Sequence, residues 1–195
     1  MVEKWKWRTL LMLSESDGEY DFVLGNDGLY GQRETMAEAV VALRDQIPPG
    51  CDRIEYRGNY LAKVSTSRAS CRTATGDEVR WDGDSHAISV ALQRLRGAMY
   101  RPGVGTWFSV VITVWADGRS QAEFNYDKEP HAMIPPSGVA YLTDQHFFPI
   151  DEDKRPEWLK ERLAEGVALL HQYGKKSYPG WLVDMIQAGN KPDWL

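Results

Sequence analysis

Two rhythms of apolar and polar positions alternate along the chain. Between Glu34 and Ile47, the apolar residues Met36, Val40, Leu43 and Ile47 share one helical face, and Pro48-Pro49-Gly50 stops the run. The stretches around Asp52–Lys63, Val64–Thr75 and Glu78–Trp81 are instead short and β-like with a polar face, as in an antiparallel sheet with one solvated side. Helical spacing returns after Asp84 or Ser85, either of which can accept hydrogen bonds from the free amides of a first turn. Ile88, Leu92, Leu95 and Met99 form the stripe expected to be buried, which leaves Gln93, Arg94 and Arg96 off it, and Arg101-Pro102-Gly103 ends the helix.

Trp107–Ala116 and Arg119–Tyr126 read as a hairpin about Asp117-Gly118. A two-residue loop there pairs Val111 with Phe124, Thr113 with Ala122 and Ile112 with Glu123. The first strand is apolar at nearly every position, as an interior strand is, whereas the second alternates and suits an edge. Past Pro130 the chain reads as a loop that carries Asp144. Pro156 then opens a helix with Leu159, Leu163, Val167 and Leu170 on one stripe, and a last helix begins at Pro179. At the other end, RTLLMLS and EYDFVLG flank Ser16-Asp17-Gly18 as a second hairpin, expected to be an adornment outside the main sheet, followed by the Gly-rich connection NDGLYGQ. The sum is an α+β fold: an antiparallel β-sheet with helices packed mainly on one face, plus the N-terminal hairpin and C-terminal helices. Residues 1–195 are expected to form a single domain with a core at 34–170, a hairpin extension at 1–33 and a helical extension at 171–195.

Composition narrows the function. Hydrophobic residues at 43% with eight Trp and nine Tyr supply a globular core. The formal charge of −5 weighs against nucleic acid as a partner, because affinity for phosphate backbones needs a surplus of Lys and Arg. Lys4, Lys6 and Arg8 precede an apolar run, Thr9–Leu13, that is too short for a signal peptide, and no stretch is apolar enough to span a membrane, so a cytoplasmic protein is expected. Cys51 and Cys71 are the only cysteines and are expected to be reduced thiols.

Motifs for catalysis are sparse. The sequence has no phosphate-binding Gly-rich loop and no Gly-x-Ser-x-Gly elbow, and its four histidines are scattered, so no catalytic, cofactor or metal residue is assigned and the protein is not expected to be an enzyme. Two alternatives stay open. Asp127, Glu129, Asp144 and the run Asp151-Glu152-Asp153 could serve a small carboxylate- or metal-dependent hydrolase. Arg53, Arg57, Arg68, Arg72 and Arg80, interleaved with Tyr56, Tyr60 and Trp81, could stack RNA bases on a sheet face.

The order of elements carries a resemblance. IPPGCDRIEY, a polar-faced meander, ALQRLRGAMY and WFSVVITVWADGRSQAEFNYD together resemble the YezG-type immunity proteins of bacterial polymorphic toxin systems. FNYDKEP and YLTDQHFFPIDEDKRPEWL resemble the branch that includes the immunity factor for TNT, an NAD glycohydrolase toxin. This resemblance implies a non-catalytic antitoxin whose partner is a cognate toxin domain, an NAD glycohydrolase or a nuclease, with its active site occluded. The aromatics and carboxylates that share the downstream loops, Tyr126, Asp127, Glu129, Asp144, His146, Phe147 and Phe148, are the residues expected to face that partner.

Overall fold

The computed structural model describes residues 8–11, 28–132, 134–187, 192 and 195, with side chains from residue 31 onward. Among these residues six strands, β1 (Arg8–Leu11), β2 (Arg53–Tyr60), β3 (Val64–Arg72), β4 (Glu78–Val79), β5 (Ser109–Trp115) and β6 (Ser120–Asn125), form one sheet in the order β1-β3-β2-β5-β6, with β4 also on β3. All named pairings are antiparallel. Among the described residues, five α-helices accompany it: α1 (Gly28–Arg44), α2 (His86–Ala98), α3 (Gly138–Phe147), α4 (Glu157–Tyr173) and α5 (Gly180–Gln187). The α+β class follows directly.

Alternation along the strands decides where the helices go. Ile54, Tyr56 and Tyr60 of β2 and Val110, Ile112 and Val114 of β5 point to one face, where they are buried with Leu43 of α1 and Ile88, Leu92 and Leu95 of α2. Trp107 completes this core, with its ring edge-on to Tyr60 at 5.4 Å. Burying each such large side chain contributes about 1.5–3 kcal/mol. A second core lies where β2 leaves and β5 enters the sheet: Leu61 and Phe108 pack there with Leu142 of α3, Leu159 and Leu163 of α4 and Leu182 of α5. The first two helices therefore cover one sheet face, and the last three are gathered about the sheet's end.

Several local expectations give way to tertiary contacts. α1 starts at Gly28, inside the stretch read as a Gly-rich connection, where Gln32 Nε2 donates to the Ala98 carbonyl of α2 at 2.9 Å. Contacts of this kind override weak intrinsic propensity. β1 pairs with Val64–Ser67 of β3 and so belongs to the main sheet instead of adorning it; the turn and second arm of that expected hairpin lie outside the described residues. The β5–β6 loop has three residues, Ala116-Asp117-Gly118, with Gly118 at φ 90°, a conformation in which a Cβ would be strained. Its extra residue shifts the register by one: Val110 meets Phe124, Ile112 meets Ala122 and Val111 meets Glu123. β5 is an interior strand and β6 an edge, as their patterns suggested.

The segment expected to be a loop around Asp144 is α3. Gly138, Val139, Tyr141, Leu142, Thr143, Asp144, Gln145 and Phe147 are all buried, so the helix has neighbours nearly all round. Such a helix shows no polar stripe, which removes the periodicity by which helices are recognised. Its crossing with α4 is close: a Cβ on Gly138 would stand 2.3 Å from the Gly166 backbone nitrogen.

Candidate functional site

The residues expected to face a partner separate into two groups. Tyr126 is half-buried against the first core. Asp127 is exposed, with its backbone carbonyl accepting the Trp158 indole N–H at 2.7 Å. Glu129 is exposed and pairs with Arg162 at 2.6 Å. The other four lie on or just after α3, and most of them point inward.

Asp144 is the clearest correction. Its carboxylate accepts two hydrogen bonds from Arg96, at 2.7 and 2.8 Å, and a third from the Ala62 amide at 2.7 Å. The two side chains are 0% and 2% exposed. Arg96 also donates from Nε to the Trp107 carbonyl at 2.7 Å, and its guanidinium lies 4.6 Å from the centre of the Phe148 ring. Asp144 and Phe148 are thus interior groups that no docking protein can touch while the fold is closed. Phe147 is nearly as buried, beside the Lys63 ammonium. His146 is half-buried, edge-on to Phe147 at 4.9 Å and tilted against Trp181 at 4.8 Å, and burial lowers its pKa.

Arg96 was expected to lie off the buried stripe, and it is fully buried. Ser89, Gln93 and Arg96 form a second buried stripe on α2, polar where the first is apolar. It fastens the loops at the sheet's end: Gln93 Nε2 donates to the Leu61 carbonyl at 3.1 Å, and the Thr106 hydroxyl donates to the Arg96 carbonyl at 2.8 Å. The sequence contains the three-and-four spacing of that stripe. Its polarity reads as solvent exposure unless the partner carboxylate, 48 positions away, is known.

On the sheet face opposite α1 and α2, strand register builds a grid of mostly polar side chains, exposed or half-buried except for the buried Ser70. One row runs Arg72, Arg53, Trp115; the next Ser70, Glu55, Thr113, Gln121; the third Arg68, Arg57, Val111, Glu123. A shallow trough of about 430 Å³ is lined by Arg53, Glu55, Arg57, Val111, Thr113, Trp115, Gln121 and Glu123. Arg57 pairs with Glu55 at 2.8 Å, and Arg119 lies over the Trp115 ring at 5.2 Å while pairing with Asp117. The segment after Asp127 bounds this face, since Asn59 Nδ2 donates to the His131 carbonyl at 3.0 Å. Asp127 and Glu129 lie between β6 and that contact and reach α4, at Trp158 and Arg162.

This arrangement bears on both alternatives. Tyr56 and Tyr60 lie buried on the face opposite Arg53, Arg57, Arg68 and Arg72, so the expected interleaving of arginines and tyrosines into one stacking surface does not form. Asp144 is held by Arg96 and lies inside, apart from Asp127. Among the described residues, no group of three or more His, Cys, Asp or Glu side chains is placed to share a metal ion. The trough has the Arg53 and Arg57 guanidinium groups and the Glu55 carboxylate on its β2 side, the Gln121 amide and Glu123 carboxylate on its β6 side, and the Trp115 indole at one end.

No family model matches the chain, and no curated protein matches it. Among the described residues, no helix is long and apolar enough to cross a membrane.

Proposed function

We propose that this protein is an immunity protein that binds a cognate toxin domain and occludes its active site, with the open sheet face as the docking platform. The observation that carries this reading is the composition of that face. Trp115 and the arginines Arg53, Arg57 and Arg68 stand on strands whose other side is locked into a core. Trp and Arg are the side chains that most often anchor protein interfaces, and a rigid support lowers the entropy lost on docking. Of the residues expected at the interface, Asp127 and Glu129 remain exposed beside α4 and extend the proposed surface there, Tyr126 packs against the first core, and Asp144, Phe147 and Phe148 act from inside by fixing the fold. The resemblance to YezG-type immunity proteins agrees with such a role.

The test is co-expression with the toxin domain encoded by a neighbouring reading frame. A one-to-one complex that abolishes the toxin's activity is the expected result. Toxin activity undiminished by saturating antitoxin overturns the proposal, as does metabolite turnover by the purified protein that depends on a single acidic side chain.

A further inference from the structure

The chain has two cysteines, and the fold brings them together. The Cys51 amide donates to the Pro48 carbonyl at 3.1 Å, which curls the turn after α1, and the next amide, that of Asp52, donates to the Arg72 carbonyl at 2.7 Å. These bonds hold Cys51 against the end of β3, where Cys71 stands opposite Ile54. Both thiols are free and buried, both belong to the first core, and the Cys51 side chain is a near neighbour of the Cys71 thiol. Cys71 has no solvent exposure, whereas Cys51 is 8% exposed in a surface turn.

We propose that Cys51 and Cys71 form a dithiol modification site that takes a low-molecular-weight disulfide as its oxidant and closes to an internal disulfide. Cys51, the less buried of the two, loses its proton once the turn opens and attacks one sulfur of the oxidant. The oxidant's S–S bond breaks, one of its halves leaves as a thiolate, and a mixed disulfide remains on Cys51. Cys71 then loses its proton and attacks the Cys51 sulfur, expelling the second half. Two protein thiols are oxidised by two electrons, the oxidant's disulfide is reduced to two thiols, and each departing thiolate takes up one of the released protons.

The second step is the slow one, because attack requires a thiolate and burial pushes the Cys71 thiol up to about 12. Access to Cys51 requires only a local opening of the Pro48–Cys51 turn, well short of global unfolding. Once closed, the bond clamps the end of α1 to β3 and shortens the free chain of the unfolded state, which favours the folded form.

The experiment incubates the folded, reduced full-length protein with oxidised glutathione. The expected result is a thiol titre that falls from two to none, a protein mass lower by two hydrogen atoms, and a Cys51–Cys71 cross-link in the peptide map. A rise in Tm of about 5–10 °C should accompany closure, reversed by dithiothreitol. Cys51→Ala, treated identically, should show no such rise. Two thiols persisting in the folded protein, a mixed disulfide that remains on Cys51, or closure only in urea would each overturn the site. A cross-link that forms natively but lowers Tm would overturn the clamp.

Discussion

Arg96 and Arg57 each sit beside a carboxylate in this chain, in two regions where the same chemistry has opposite consequences. The Arg96–Asp144 pair has lost essentially all contact with water and is held by two parallel hydrogen bonds, while the Arg57–Glu55 pair has side chains 56% and 31% exposed. Desolvation makes the first pair costly to form and more costly to break, because removing one member strands the other charge inside. Solvent screens the second, and a pair of its kind contributes about 0–1 kcal/mol. The buried centre therefore fixes the relation between α2, α3 and the sheet's end, while the charges of the polar face remain solvated.

The largest expected effect comes from splitting the buried pair. Asp144→Ala or Arg96→Ala should lower stability by about 3–5 kcal/mol, measured by urea unfolding. The double variant Arg96→Met with Asp144→Leu should recover much of that loss, since an apolar pair of similar volume needs no charge compensation. Equal losses in the single and double variants would show that the region depends on the hydrogen bonds to Ala62 and Trp107 and not on charge pairing.

A second effect tests how closely α3 and α4 meet. Gly166→Ala places a methyl group 2.5 Å from the Gly138 carbonyl oxygen and should cost about 1–3 kcal/mol through forced separation of the helices. Near-neutral behaviour in the same urea assay would show that the crossing yields easily.

A smaller effect depends on pH. Burial lowers the pKa of His146 in the folded state below its ordinary value, so the folded protein favours the neutral ring. That contribution is complete above the unfolded value of about 6.5 and is lost as pH falls from there through the lowered folded value. His146→Phe keeps a ring against Trp181 without a titrating group. Its stability should fall less than that of the parent between about pH 7 and pH 5, and parallel thermal-melt profiles would remove His146 from the acid response.

The smallest effects on stability belong to the open face. Arg57→Glu and Glu123→Lys should each change unfolding free energy by about 0.5 kcal/mol or less, and charge reversal at Asp127 and Glu129 by about 1 kcal/mol or less. All four should weaken binding to the cognate toxin domain in calorimetric titration. Unchanged affinity in every one would move the interface elsewhere and erase the functional contrast between the two regions.

Much of the framework was legible in local pattern. Leu43, Ile88, Leu92, Leu163 and Leu170 lie buried at the helical spacings that predicted it, and the alternation in β6 marked it as an edge. The candidate site was less legible. Asp127 and Glu129 are exposed as expected, but Asp144 and Phe148 are interior, and a carboxylate and an aromatic look the same in sequence whether they meet solvent or a buried guanidinium. Trp115, Arg57 and Glu123 were visible as residues, yet their common face depends on pairings between strands.

By itself, then, the sequence determined the kinds of element, most of their order and the apolar stripes that bury them, because helix and strand periodicities are set by near neighbours. Only the tertiary structure decided that Arg96 and Asp144 meet inside, that one added loop residue shifts the β5–β6 register, that Cys51 neighbours Cys71, and which sheet face carries the rows of exposed charge. Each of these depends on groups distant along the chain, whose pairing is settled by the desolvation and close packing of the whole fold and leaves no periodic trace.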